Sequence, residues 1–223
     1  MALVLSTLQG AISAVFISTM TDSSFATGIS NAFNAFTATG IISATTVAGT
    51  VSAGVFSGTG SGTVTTSLAS SDIQSICDKM TKSVKDAADA WEKWQEDPEN
   101  ESLKKAYDNA KDDIKGDDYL AEELSSLVDN ALVNGSFNIL ISGTAQAGQV
   151  TTTFTGVPST DVIWQGDVAG LEKTLKDCFT SSMTDALFAS QLSSAINTYL
   201  TGATITVKGQ GALSGASGSG KMS

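Results

Sequence analysis

Gly215-Ala216-Ser217-Gly218-Ser219-Gly220-Lys221 has the spacing of a phosphate-binding loop and is the first place to look for chemistry. Such a loop needs a Ser or Thr after the lysine to hold magnesium, and a helix behind it whose N–H groups meet the phosphate. Met222 stands in the first place and Ser223 is the last residue, so the expectation here is a Gly/Ser-rich tail. Gly58-Thr59-Gly60-Ser61-Gly62 lacks a GxGxxG pattern and an acidic ribose partner downstream, and is expected to be a flexible loop or hairpin connection. The pairs Asp112-Asp113 and Asp117-Asp118 around Gly116 supply hard oxygens of the kind calcium takes. Their spacing does not follow D-x-[DN]-x-[DN]-G, and a solvated acidic turn beside a helix cap is the expectation. Cys77 and Cys178 form no CxxC or zinc-type spacing and read as two small buried hydrophobes rather than a disulfide.

What the chain lacks is as informative. There is no histidine, and all 12 basic residues are lysines. Ser-His-Asp and Cys-His sites are therefore impossible, and the planar fork that grips phosphate or carboxylate is absent. An enzyme built from this chain would rely on Lys, Tyr, Ser or paired carboxylates, and the expectation is that it is not an enzyme. No catalytic, cofactor-binding or metal residue is assigned. The net charge of -11 argues against direct contact with nucleic acid or with an anionic membrane. The first residues, Met1 to Ser6, lack a basic signal region, and no apolar run reaches eighteen residues. The chain is expected to be made in the cytoplasm without a signal peptide.

The elements that would position side chains divide by charge. Residues 1–70 hold one charged residue, Asp22; residues 71–130 hold 17 acids and 8 lysines; residues 131–223 hold 5 acids and 4 lysines. In the central zone Ile73, Ile76, Cys77, Met80, Val84, Ala87, Ala88, Trp91 and Trp94 recur at helical spacing, up to the break at Pro98. Leu103, Tyr107, Ala110 and Ile114 make a second stripe. The pair reads as an αα-hairpin over 71–116 with an acidic outer face, and Trp91 and Trp94 read as hairpin core, with docking as the other reading.

A pattern also repeats. Asp22-Ser23-Ser24-Phe25-Ala26 through Ala32-Phe33-Asn34 to Gly40 matches Asp117-Asp118-Tyr119-Leu120-Ala121 through Leu127-Val128-Asp129 to Gly135. Asp185-Ala186-Leu187-Phe188-Ala189 through Ala195-Ile196-Asn197 to Gly202 is the third copy, and the Asp-to-Gly spacings are 18, 18 and 17. Each Asp reads as an N-cap and each Gly as a C′ stop. A β-like stretch follows each: Ile41-Ile42 onward, 137–141 and 203–207. Gly49–Gly54 and Gly143–Gly148 read as turns into return strands around 51–56 and 149–154. A helix precedes the first copy (Leu5, Leu8, Ile12, Phe16) and the third (Leu171, Leu175, Cys178, Phe179, Met183), and Met20-Thr21-Asp22 matches Met183-Thr184-Asp185 literally.

The expected fold is α+β, in three quasi-repeated helix–helix–strand units with the middle one enlarged by the acidic hairpin. The divisions are 1–70, 71–160 and 161–223, the last ending in the Gly/Ser-rich tail. In its Gly/Ser/Thr/Ala-rich, acidic composition and nearly uncharged first third, the chain resembles structural proteins of tailed bacteriophages: tail, neck, baseplate or head decoration. That resemblance rests on composition, carries no residue roles, and implies a virion location. The functional expectation is a structural component of a large assembly, touching copies of itself and other structural proteins. A bacterial surface or secreted adhesive module is the alternative, and a Lys- or carboxylate-based enzyme comes third.

Overall fold

Among the described residues of the computed structural model, 3–16, 21–179 and 184–223, six antiparallel strands close into a barrel. The elements run α1 (Leu5–Ser13), α2 (Asp22–Thr37), β1 (Ile42–Val51), β2 (Gly54–Thr65), α3 (Ser70–Glu96), α4 (Glu101–Asp112), α5 (Asp117–Val133), β3 (Ser136–Ala147), β4 (Val150–Gln165), α6 (Val168–Phe179), α7 (Asp185–Gly202), β5 (Thr204–Gly209) and β6 (Ala216–Met222). This is an α+β fold of three helix–helix–hairpin units, with α4 the extra helix of the middle one. The unit limits fall at the connections 66–69 and 166–167, so the expected division at 160 lies inside β4. Met20 and Met183 of the literal match lie outside the described residues.

The repeat positions take equivalent places. Ala26, Ala121 and Ala189 are buried in α2, α5 and α7, as are Ser30, Ser125 and Ser193, and then Phe33, Val128 and Ile196. Small residues on one face let helices approach closely. Each of these helices packs on the first helix of its own unit and on the first helix of the next: α2 on α3, α5 on α6, α7 on α1. The helices thus close a ring with the same threefold order as the barrel, and their C-termini feed β1, β3 and β5.

The narrow barrel, whose strand backbones approach closely (a Cβ at Gly218 or Gly220 would lie 2.1 or 2.3 Å from a neighbouring carbonyl oxygen), accounts for most of the glycines. Six strands leave a narrow interior, so bulky inward side chains must face small ones. Gly62 pairs with Ile42 on one side and Ile139 on the other, and Gly60 with Ala44 and Ile141. Gly220 stands between Ala44 and Ile205, and Gly218 between Val47 and Val207. Gly58 and Gly143 pair with each other beside the Phe56 ring, whose Cζ would lie 2.6 Å and 2.7 Å from a Cβ at either. Phe56 also meets Phe154 edge-on at 5.9 Å.

Four expectations are corrected by these facts. The Gly/Ser-rich tail is β6, which pairs with β1 from Ile42↔Met222 to Gly49↔Ala216 and closes the barrel. Gly58–Gly62 is the middle of β2, not a loop. Gly49 and Gly143 lie within strands; the turns are Ser52-Ala53 and Gly148-Gln149, and the return strands run to Thr65 and Gln165. Gly148 has φ 62, the left-handed conformation that favours glycine in such turns.

The helix ends differ as well. Thr21 and Thr184 are the N-caps, their hydroxyls accepting from Ser24 N–H and Leu187 N–H, and Gly116 is the third. Asp22, Asp117 and Asp185 are the first helical residues, where their charge meets the helix dipole. Gly40, Gly135 and Gly202 are not among the glycines with positive φ. At Gly40 a Cβ would crowd Leu3 and Met222, and at Gly135 Val64, so these two are small for want of room at the barrel rim.

Candidate functional site

Four places bring polar or exposed groups together. In the first, Trp164 at the end of β4 donates its indole N–H to the Tyr199 hydroxyl at 3.1 Å, and that hydroxyl donates in turn to Asp129 Oδ1. β4 supplies Trp164, α7 supplies Tyr199 and α5 supplies Asp129, so the network ties two units. Trp164 and Tyr199 are buried. Burial, and then the Asp129 carboxylate, push the Tyr199 hydroxyl well above its ordinary value. Held neutral and satisfied on both sides, it is a fastening. Asn34, at the equivalent position of Asp129, ties the end of the first unit: its side chain accepts from Leu68 N–H at 2.9 Å and donates to Leu68 O at 3.0 Å.

The second place is a groove of about 670 Å³ between α6 and α7, whose wall includes Tyr199. Ser190, Gln191 and Ser194 line it, and their repeat partners Thr27, Gly28 and Asn31 line a groove of about 750 Å³ between α1 and α2. Cys178 borders the former and Val15 the latter, at equivalent positions. Cys77 and Cys178 are free, and burial raises both thiols above the usual range. Neither is primed as a nucleophile.

A third gathering lies between α3 and α4, where Lys79, Lys82, Asp86, Asp113 and Lys115 line an open cleft. Lys82 pairs with Asp86, and Lys115 Nζ with Asp113 at 3.1 Å. Lys82 is 73% exposed and Asp113 76%, so water screens both pairs. Of the carboxylates around Gly116, Asp113 is used in that pair, while Asp117 and Asp118 open α5. Among the described residues no group of three His, Cys, Asp or Glu side chains is placed to hold a metal ion.

The fourth place is the hairpin tip. Past the contact of Thr81 with Asp22, α3 continues for about four turns against α4, and α4 has no buried residue. Trp91, Trp94 and Tyr107 meet there, with centroids 5.0 to 5.6 Å apart and Trp94 stacked on Tyr107 at 17°. Trp94 donates its N–H to Pro98 O at 3.1 Å. Trp91 remains 42% exposed. Of the two tryptophans expected in the hairpin core, Trp94 is half-buried against Tyr107, while Trp91 is exposed. Val84 of the same stripe is exposed too, because the hairpin has only two helices to bury it.

The barrel wall contrasts with this acidic projection. Outward positions of β2 are Ser57, Thr59, Ser61, Thr63 and Thr65, and Thr144, Thr153, Thr206, Ser217 and Ser219 continue the surface on the other strands. Over all six strands the charged residues are Asp161, Lys208 and Lys221, and the first two pair at 3.7 Å. Val55 and Val150, at equivalent places beside the hairpin turns, are 67% and 65% exposed. No helix of the described residues is long and apolar enough to cross a membrane. No family model, curated protein or solved structure matches this chain.

Proposed function

We propose that the chain is a structural component of a large protein assembly, of the kind found in tailed-phage particles, that acts through contacts of its barrel wall with copies of itself and with other structural proteins. The observation that carries this reading is the wall: six strands rich in outward Ser and Thr, with Leu140 and Ile163 exposed among them and three charged residues in all, on a protein whose net charge is -11. Hydroxyl surfaces cost less to desolvate than charged ones, and exposed Val55 and Val150 add apolar contact at the turn end of the barrel. The phage assignment draws further on the resemblance in composition.

Native mass spectrometry or sedimentation of the purified chain tests the reading. Defined oligomers at micromolar concentration are expected, and Val55→Lys with Val150→Lys should dissociate them. A chain that stays monomeric up to about 100 µM, where weak interfaces begin to fill, would overturn it.

A further inference from the structure

We propose that the tip of the α3–α4 hairpin docks a basic segment of a different protein, which lays Lys or Arg side chains on the exposed indole of Trp91 within an acidic rim. Two of the chain's three tryptophans sit on this projection, and none of residues 74–120 belongs to the main core cluster. The aromatic cluster therefore contributes nothing to closing the barrel or the helix ring. Trp94 donates its N–H to Pro98 O, which fixes that ring, while Trp91, in contact with Trp94 and Tyr107, still keeps 42% of its surface exposed. Glu92, Glu96, Asp97, Glu99 and Glu101 lie close to it in sequence and outnumber Lys93, Lys104 and Lys105 of the same stretch. A cation over an indole face gains from the ring quadrupole, and neighbouring carboxylates add to the attraction.

The same charges select the occupant. A nucleic acid would be repelled. A second copy of this chain is a poor match: there is no arginine, eight of its 12 lysines sit within the acidic zone, which is net negative, and each of the other four has a partner. Lys173 pairs with Asp177, Lys176 with Glu172 and Lys208 with Asp161, while Lys221 donates to Gly202 O. The partner is thus a different, basic protein. This rests on the reading that the chain works through protein contacts, but it uses a surface separate from the barrel wall.

The test titrates the full chain with dye-labelled peptides of four arginines spaced by glycines, with a glutamate counterpart as control, at low and physiological salt. Saturable binding of the arginine peptide alone is expected. Trp91→Ala should weaken it about tenfold at both salt concentrations. Trp91→Phe, which restores a ring, should recover part of that loss. Glu96→Gln with Glu99→Gln should weaken binding mainly at low salt. Circular dichroism checks that each variant keeps its helices, and oligomeric state should be unchanged in all of them.

Equal binding to wild type and Trp91→Ala would overturn the proposal, since net charge alone would then account for it. So would an absence of saturable binding to the wild type, or Trp91-dependent capture of phosphatidylcholine vesicles instead of the peptide. Dissociation of the oligomer by Trp91→Ala would overturn it too, by assigning the tip to contact between copies. A monomeric chain that still binds the peptide would instead count against the wall reading alone.

Discussion

Tyr199 shows how one hydroxyl can hold two units of the barrel together. Phe at this position would leave the Trp164 N–H and the Asp129 carboxylate without their partner, and Tyr199→Phe should cost about 1–3 kcal/mol in denaturant unfolding. The raised Tyr199 hydroxyl also sets a pH dependence. The folded state holds its proton more tightly than the unfolded state. That stability is complete below about pH 10, the ordinary tyrosine value, and is lost as pH rises above it. Wild type should therefore lose more stability than Tyr199→Phe between pH 9 and 11. An equal loss would show that the network does not hold the proton. The lumen glycines make a second residue-scale contrast. A Cβ at Gly60 would find ordinary contacts at 3.4 to 3.7 Å, whereas at Gly62 it would lie 2.6 Å from Ile139 Cα. Gly60→Ala should be neutral or slightly stabilising, and Gly62→Ala should cost about 1–3 kcal/mol, as thermal unfolding would show.

At the scale of elements, the acidic hairpin is an appendage to the body. Replacing residues 85–112 by a short Gly/Ser link keeps Ser83, whose hydroxyl accepts from Lys115 N–H at 2.9 Å, and removes nothing from the main core cluster. The melting temperature should move by less than about 5 °C while the helical dichroism falls; loss of cooperative unfolding would mean the hairpin supports the ring. The hairpin and the three capped helices were legible in the sequence because helical periodicity and turn residues act locally. The barrel was not. Glycine at every second position of 58–62 has little intrinsic strand preference, and at Gly58 and Gly62 it is small because the backbone of β3, far along the chain, comes too close for a Cβ. The alternation of Gly with Ser and Thr was the available signal. The same holds for β6, whose place is set by β1 about 180 residues earlier. Asp129 and Tyr199 could not be paired from sequence, since their partnership depends on how α5 and α7 meet across the ring.

The whole molecule behaves as three units on one axis, so its chain order should be changeable where the connections are loose. Leu3 and Met222 both lie against Gly40, which brings the two ends of the described chain together at the rim of the barrel. A permutant that joins these ends by a flexible linker, with new ends between Gly166 and Asp167, keeps all six strands and the Asp167 cap on Gly170 N–H. It should refold to the same far-ultraviolet spectrum with a loss of a few kcal/mol at most. The equivalent cut after Leu68 is less favourable. There the connection is pinned by Asn34, by the Ser30 hydroxyl donating to Leu68 O at 2.6 Å, and by Thr66 donating to Asn34 Oδ1 at 3.1 Å. New ends at that point fray a buried network, and chemical denaturation should rank this permutant below the first. The reverse ranking would mean that the Asn34 network does not pin the first connection, while failure of both to fold would mean that the closure of β6 on β1 depends on the native succession.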